Sequence, residues 1–230
     1  MAYALTSAGA RLNIGTSSSL AFDKDSIFTI AGNFLFPTLD NGAVCQLFNK
    51  QDNAGNATGW SFAYLHQVNA GTPGVGNWIS LIKRNSAANQ AWANIPFTAT
   101  TNTWNHFAAS TESASTNDFK IYANGTQGTN QITGNNLTSA ITNAIVPQIN
   151  GRNGANNLGT FSASEVGIWN AALTAAEIAS LAKGMTCDKV RPQSLVFYAP
   201  LVRNLQDARG GLAITNNGGA TVTTHPRVYA

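Results

Sequence analysis

Charged side chains are scarce in this sequence, since Asp, Glu, Lys and Arg make up 10% of its 230 residues, against about 25% in typical soluble domains. The 13 basic residues are scattered along the chain, which argues against a nucleic-acid partner. Apolar runs stay well short of the roughly 18 residues that a membrane-spanning helix needs. The first residues, Met1–Thr6, lack the basic and apolar regions of a secretory signal peptide. We therefore expect neither nucleic-acid nor membrane binding, and no signal peptide.

Cysteine is nearly absent. Cys45 and Cys187 are the two cysteines of the chain, and their wide separation does not match the spacing of metal ligands. Two buried free thiols are the favoured interpretation, with a single disulfide as the alternative. The histidines His66, His106 and His225 are equally dispersed, and His106 is expected to be a hydrogen-bonded structural residue. The sequence therefore indicates no zinc-type site.

What the sequence does contain is a series of short segments rich in Phe, Ile, Val, Thr and Trp. Turn signals separate these segments about every 8 to 15 residues. This pattern is typical of a β-sandwich or jelly roll in one domain. Residues 126–146 are poorly patterned and predict a long loop with one weak strand. The predicted strands are Leu12–Ile14, Ser26–Phe36, Ala43–Phe48, Trp60–His66, Trp78–Lys83, Gln90–Ile95, Asn105–Ser110, Phe119–Ala123, Ser194–Leu201, Leu212–Thr215 and Thr221–Val228.

One short helix is predicted near residues 174–183. Thr174 followed by Glu177 is a capping box, in which each side chain satisfies a backbone N–H of the first turn. Gly184 stands where a left-handed C-cap belongs. The apolar stripe at helical spacing consists of Ile178, Leu181 and Ala182. A strand around Val166–Trp169 leads directly into this helix.

The segment Glu165–Ile178 closely resembles the end of laminin G-like domains of the concanavalin A-like lectin/glucanase superfamily. Four further motifs occur upstream in the order of that family, namely Phe28–Phe34, Phe48–Phe62, Trp104–Ala108 and Phe119–Gly125. The resemblance covers residues 1–184 and implies an all-β fold, a two-sheet antiparallel jelly-roll sandwich. Residues 185–230 are expected to add strands that complete the domain or to form a small appendage.

The C-terminal segment resembles the ends of bacteriophage structural proteins that carry this jelly roll. The stretches that carry this resemblance are Leu195–Leu201, Asp207–Gly211 and Thr223–Tyr229. It implies a virion surface protein, assembled in the host cytoplasm, with the major capsid protein or other virion proteins as partners and a homo-oligomeric state. Our first hypothesis is thus a non-enzymatic capsid decoration or cement protein, attached through its N-terminal residues and the segment after Gly184.

Catalysis is not expected. Glycosidases need two carboxylates on either side of the scissile bond, and the enzymes of the resembled superfamily carry them along one strand as Glu-x-Asp-x-x-Glu. The sequence has no such triplet. Glu165 is the one carboxylate in a strong predicted strand, and a structural hydrogen-bonding role is expected for it. No catalytic residue is therefore assigned.

Calcium binding is also disfavoured, and no cofactor is expected. Related domains often carry an Asp directly before the Glu of the helix-preceding motif, where this chain has Ser164. Asp23, Asp25 and Asp118 are loose candidates for a calcium site, but solvated loop carboxylates are the commoner case.

Three tryptophans, Trp60, Trp78 and Trp92, are candidates for stacking on a sugar ring. Asn-rich stretches at residues 53–56 and 153–157 could supply hydrogen bonds beside them. Core packing is the commoner role of each indole. A carbohydrate-binding module that recognises host glycans is therefore the alternative to the structural virion protein.

Overall fold

The computed structural model describes residues 1–53, 57–69, 75–86, 88–113, 115, 118–154, 158–202 and 204–229. Its strands form two sheets. The first sheet contains β1 (Ala2–Leu5), β3 (Phe28–Leu35), β8 (Trp104–Thr111), β9 (Lys120–Ala123), β10 (Thr126–Gln127), β13 (Phe161–Trp169), β14 (Leu195–Ala199) and β16 (Thr221–Thr223). The second sheet contains β2 (Arg11–Ile14), β4 (Ala43–Gln51), β5 (Gly59–Asn69), β6 (Val75–Ser86), β7 (Asn89–Pro96), β11 (Gln131–Asn135), β12 (Gln148–Ile149) and β15 (Ile214–Asn217).

The strand order confirms the expected all-β, two-sheet antiparallel sandwich. The first sheet runs β10-β9-β8-β3-β13-β1-β16, with β14 also paired to β13, and the second runs β11-β7-β6-β5-β4-β12-β2-β15. The strands after residue 184 join both sheets, because β14 pairs with β13, β16 with β1, and β15 with β2.

The departures from the predicted strands concern short segments. β1 and β12 were not predicted, and the region 126–146 holds two short strands, β10 and β11, where one weak strand was expected. β10 pairs with its sequence neighbour β9, whereas the other segments gain their hydrogen bonds from distant partners: β1 from β13 and β16, β11 from β7, and β12 from β2 and β4. Such partners leave little trace in local composition.

The main core lies between the sheets and follows from the alternation of side chains along each strand. On β6, Ile79 and Leu81 are fully buried in this core, whereas Ser80 and Ile82 point to the opposite face. The centre of the core is aromatic, with ring centroids 4.9 to 6.2 Å apart among Phe34, Phe36, Tyr64, Phe107 and Phe161.

The predicted helix is confirmed as α1 (Ala175–Ala182), with both hydrogen bonds of the capping box. Thr174 N donates to Glu177 Oε2 at 2.7 Å and Glu177 N donates to Thr174 Oγ1 at 3.3 Å. Ile178 and Leu181 are buried in a second cluster with Trp169 of β13. The helix therefore covers the face of the first sheet that points away from the main core.

Cys45 and Cys187 are both free and buried. They lie in different clusters, Cys45 in the main core and Cys187 beneath the helix. Burial raises the pKa of Cys45 to about 12, which makes it an inert thiol near neutral pH. Among the described residues no α-helix has the length and apolar character that spanning a membrane requires.

Candidate functional site

The second sheet has an outward face that is built almost entirely from neutral residues. Its members alternate with core residues on four adjacent strands and pair across them. They are Gln46, Asn49 and Gln51 on β4, Ser61, Ala63 and Leu65 on β5, Trp78, Ser80, Ile82 and Arg84 on β6, and Gln90, Trp92, Asn94 and Pro96 on β7. The eight strands that the structure describes in this sheet contain no Asp or Glu. We call this set the outward face.

Amide and hydroxyl groups on the outward face are buried and hydrogen-bonded to one another. Gln46 Oε1 accepts from Ser61 Oγ at 2.5 Å and from Asn49 Nδ2 at 3.1 Å. Asn49 Oδ1 in turn accepts from the backbone N–H of Gln51 at 2.8 Å. This network holds the polar side chains of β4 and β5 in fixed positions.

Three side chains of the outward face carry buried polar atoms without a partner in the described part of the chain. They are both amide atoms of Asn94, Nε2 of Gln51 and Nε1 of Trp92. A buried polar group left unpaired costs about 1–3 kcal/mol, so such groups are rare in native proteins. Four unpaired buried atoms of the described residues thus lie on the outward face.

The structure separates the three tryptophans that the sequence suggested. Trp60 points inward and is 1% exposed, stacked on Phe48 at 5.4 Å between ring centroids. Its indole therefore has no free face for a sugar. Trp78 and Trp92 both lie on the outward face, two rows apart on β6 and β7.

Each outward indole lies against a glycine. A Cβ added at Gly76 would come within 2.8 Å of the Trp78 ring, and one added at Gly134 within 2.5 Å of Trp92 Nε1. Trp78 is 4% exposed and donates from Nε1 to Val68 O at 3.3 Å, whereas Trp92 is partly exposed. Trp92 is therefore the more accessible of the two.

Positive charge stands at one end of the outward face. Arg84 is half-buried there, and its Nε donates to Gln90 Oε1 at 2.8 Å. Arg152, from the loop after β12, lies close enough that its charge lowers the pKa of Arg84 in addition to the larger effect of burial. Nε and Nη2 of Arg152 donate to Asn53 Oδ1 at 3.1 and 2.6 Å. Of the two predicted Asn-rich stretches, residues 54–56 and 155–157 lie outside the described residues.

Lys83, the neighbour of Arg84 in sequence, points inward and is fully buried. Its amino group donates to three backbone carbonyls, those of Lys24 at 2.8 Å, Ser26 at 3.2 Å and Ser113 at 3.0 Å. The rings of Phe28 and Phe119 lie 5.4 and 5.7 Å from it. The lysine thus ties two loops to the end of the sandwich.

The three aspartates suggested for calcium, Asp23, Asp25 and Asp118, lie near this lysine. Burial lowers the pKa of Lys83 to about 7, and the charges of the three aspartates act against that effect. Each carboxylate has another contact: Asp23 accepts from the N–H of Ile141, Asp25 pairs with Lys24, and Asp118 accepts from the Ser113 hydroxyl. In the described ranges no three acidic, histidine or cysteine side chains are grouped to hold a metal ion. The cation that lies near these carboxylates is the amino group of Lys83.

Glu165 occupies a bulge in β13, with a positive φ of 52°. Its Oε2 accepts from the Tyr198 hydroxyl at 2.7 Å, and its Oε1 lies 3.5 Å from His225 Nε2. Burial lowers the pKa of His225, but its hydrogen bonds to Glu165 and to the Pro226 carbonyl outweigh this and raise it. These contacts hold the C-terminal segment against the first sheet, which is a structural role.

His106 differs from its expected hydrogen-bonded state. Burial lowers its pKa to about 4, and its Nδ1 has no partner among the described residues. The buried ring is therefore neutral at physiological pH.

The amides of the outward face were missed in the sequence. The available signal was the period-two pattern of Trp60–Leu65 and Trp78–Arg84, in which large core residues alternate with Ser or Arg. That pattern shows which residues of one strand share a face. It does not show which strands are neighbours, and only the pairing of β4, β5, β6 and β7 brings Gln46, Ser61 and Asn94 onto one surface.

A search among proteins of curated function found no match to this chain. Solved structures are similar in fold. A proposed carbohydrate-binding protein from Bacteroides ovatus has a TM-score of 0.64 at 16% identity, over 100% of this chain and 62% of that one. A heptameric SAP-like pentraxin from Limulus polyphemus has a TM-score of 0.53 at 11% identity, over 93% and 94% of the two chains.

The binding domain of botulinum neurotoxin serotype G has a TM-score of 0.52 at 16% identity, over 74% of this chain and 39% of that one. This chain therefore spans less than two thirds of the Bacteroides and toxin chains. At these identities the similarity shows a shared fold. A laminin G-type family model, described as the concanavalin A-like lectin/glucanases superfamily, matches residues 10–179. Together with the two-sheet sandwich, this match places the protein in the concanavalin A-like lectin/glucanases superfamily.

Proposed function

We propose that this protein is a non-catalytic carbohydrate-binding module that holds a glycan on the outward face of the second sheet. The observation that carries the proposal is the neutral polar floor of that face, in which Asn94 is 0% exposed and both of its amide atoms are unpartnered among the described residues. An amide offers two donors and one acceptor with two lone pairs, which suits the mixed donor and acceptor character of sugar hydroxyls.

The aromatic residues beside Asn94 support the same ligand class. Trp92 precedes Asn94 by two residues on β7, and so shares its face, and it is partly exposed. An indole offers a large apolar surface with a single donor at one edge. A sugar ring, which has one apolar face and polar edges, fits a surface where an indole stands beside amides.

The same face supports the non-catalytic part of the proposal. Glycoside hydrolysis uses two carboxylates about 5–9.5 Å apart, and the described strands of the second sheet carry no carboxylate. Glu165, in the first sheet, is engaged by Tyr198 and faces His225. The name of the Bacteroides ovatus protein, a proposed carbohydrate-binding protein, agrees with this assignment.

The test is a glycan array with the full chain, followed by titration calorimetry on the best glycan. We expect Trp92→Ala to weaken binding about 3- to 10-fold and Asn94→Leu to weaken it further, because two hydrogen-bonding groups are lost. Trp104→Ala is the matched control, since Trp104 is also partly exposed but lies in the first sheet. A chain that binds no glycan on the array, or whose binding is insensitive to both outward-face variants, contradicts the proposal.

A virion structural role is the second proposal, and the distribution of exposed apolar residues favours it. Five of the exposed large hydrophobic side chains lie at the N-terminus or after residue 184, namely Met1, Met185, Val202, Val222 and Tyr229. Val222 belongs to β16, an edge strand of the first sheet. In this proposal these residues attach the domain to a capsid shell or to copies of itself, and the glycan face remains free on the particle.

Co-sedimentation with purified bacteriophage capsids tests this second role. We expect stoichiometric binding by the full chain and its loss in Val222→Asp, with Trp92→Ala as the control that binds capsids normally. Equal binding by the wild-type chain and Val222→Asp, or none by either, rejects attachment through this edge.

A further inference from the structure

We propose that the glycan held on the outward face is acidic, and that a sugar carboxylate lies between Arg84 and Arg152. This inference rests on the proposed carbohydrate-binding function and names the ligand class for the same face.

Arg84 is held in place but has unused donors. Its Nε–H is fixed by Gln90 Oε1 at 2.8 Å, whereas its two terminal nitrogens have no partner among the described residues. The guanidinium presents paired N–H groups in a plane, the geometry that binds a carboxylate with two parallel hydrogen bonds. A positioned guanidinium with free terminal donors is thus ready for an acceptor from outside the chain.

No acidic side chain of the described second-sheet strands compensates Arg84. The charge that acts on it is that of Arg152, which together with burial lowers its pKa. Asp52 acts on Arg152 and partly balances it. Two half-buried cations and one carboxylate therefore share this end of the outward face, which leaves it with a positive charge that an anionic ligand neutralises.

A third donor lies in the same row. The strand register pairs Arg84 with Gly59, and Gly59 with Gln51. Gln51 is 2% exposed, and its Nε2 has no partner in the described part of the chain. Gly59, which lies between them in the register, has no side chain, and the amide of Asn143 packs closely against its backbone. The unpartnered groups here, the terminal nitrogens of Arg84 and Nε2 of Gln51, are donors, and a carboxylate, which only accepts, suits them better than a hydroxyl does.

The experiment compares matched glycans that differ by one carboxylate. The array carries uronic-acid oligosaccharides beside their parent neutral hexose oligosaccharides, and sialylated glycans beside their unsialylated forms. We expect the full chain to prefer the acidic member of the pair that it binds best. Arg84→Gln should weaken binding of the acidic glycan about 10- to 100-fold while leaving the neutral one nearly unchanged. Arg84→Lys, which keeps the charge but loses the paired donors, should give an intermediate loss.

Arg227→Gln is the matched control, because it removes one exposed arginine on the C-terminal segment without touching the second sheet. A similar loss in this control would assign the preference to the net charge of the protein rather than to a site and would overturn the inference. Equal binding of neutral and acidic partners, unaltered by Arg84→Gln, overturns the acidic-ligand inference and leaves the carbohydrate-binding proposal standing. If no glycan of either kind binds, the proposed function itself fails, and the inference with it.

Discussion

Lys83 and Arg84 are adjacent cations on the same strand, yet they stand in opposite environments. Lys83 points into the end of the sandwich, where three backbone carbonyls accept from its amino group. Arg84 points to the outward face, where a neutral amide, Gln90, is its one hydrogen-bond partner among the described residues. The inward cation has its acceptors within the protein and the outward cation does not.

The contrast separates a structural charge from one available for binding. A buried cation is tolerated only when it is well hydrogen-bonded, and Lys83 meets that condition by joining the loops of Lys24–Ser26 and Ser113. Arg84 sits among polar side chains that are themselves incompletely paired, such as Gln51 and Asn94. We therefore expect substitutions on the inward side to change stability and those on the outward side to change binding.

The largest effect should come from the tryptophans that repeat this contrast. Trp60→Ala removes a fully buried indole that packs on Phe28 and Phe48, and we expect a loss of about 3–5 kcal/mol in the free energy of unfolding. Trp92→Ala, on the outward face, should cost about 1 kcal/mol, the typical cost of a point substitution outside the core. Urea denaturation of both variants measures the difference. Equal losses would mean that the outward indole is as much a part of the core as the inward one.

A somewhat smaller effect is expected for Lys83→Met, which keeps the length of the side chain and removes its donors. The carbonyls of Lys24, Ser26 and Ser113 then lose their partner, and we expect a loss of about 2–4 kcal/mol in the free energy of unfolding. Arg84→Met on the other face is the control, with a change of about 0.5 kcal/mol or less. If Lys83→Met is as stable as the wild-type chain, the lysine is not the tie between these loops.

The sequence predicts the sandwich and the helix well, because both depend on local patterns. The capping box of Thr174 and Glu177 and the alternation around Ile79 are visible in short windows. The outward face depends instead on which strands are neighbours. Asn94, Ser61 and Gln46 belong to three strands, and only their pairing makes them one surface.

The same reason explains the outcome for individual candidates. Trp60 and Trp92 have similar local sequences, with alternating large and small residues. Trp60 is nevertheless on the core side of β5 and Trp92 on the outward side of β7, because the packing of the sheets decides which face of each strand is buried. Lys83 offers no local sign that it meets the loop carbonyls of Lys24 and Ser113, residues far from it in sequence. Asp23 and Asp118 were chosen as oxygen ligands from their residue type, and their closeness to Lys83 has no local sign in the sequence either.

The pH dependence of stability gives a third and smaller test of the inward cation. Burial lowers the pKa of Lys83 to about 7, with Asp25, Asp23 and Asp118 opposing and Lys24 adding to that effect, whereas the unfolded chain keeps a value of about 10.4. Between these values the unfolded state binds more protons at Lys83, so the free energy of unfolding rises with pH, by at most about 1.4 kcal/mol per pH unit.

The measurement compares the wild-type chain with Lys83→Met at pH 6.5, 7.5 and 8.5, values chosen to bracket that folded-state pKa. The difference between the two free energies of unfolding isolates Lys83 from other groups that titrate in this range, including His225. We expect the wild-type chain to gain relative to the variant as pH increases. Parallel pH profiles would show that the buried amino group keeps its ordinary pKa, and would weaken the distinction between the two cations.

The smallest expected effect is on the stability of Arg84→Gln. The substitution removes the bond from Arg84 Nε to Gln90, which is worth about 1 kcal/mol, and it also relieves the repulsion from Arg152. These effects oppose each other, so the midpoint of thermal unfolding should stay within about 2 °C of the wild-type value. A charged residue that contributes nothing to the free energy of unfolding is consistent with a role in binding. Substitutions in ligand sites often stabilise a protein while they abolish its function. A clear loss of stability in Arg84→Gln would instead make Arg84 a second structural cation, equivalent to Lys83.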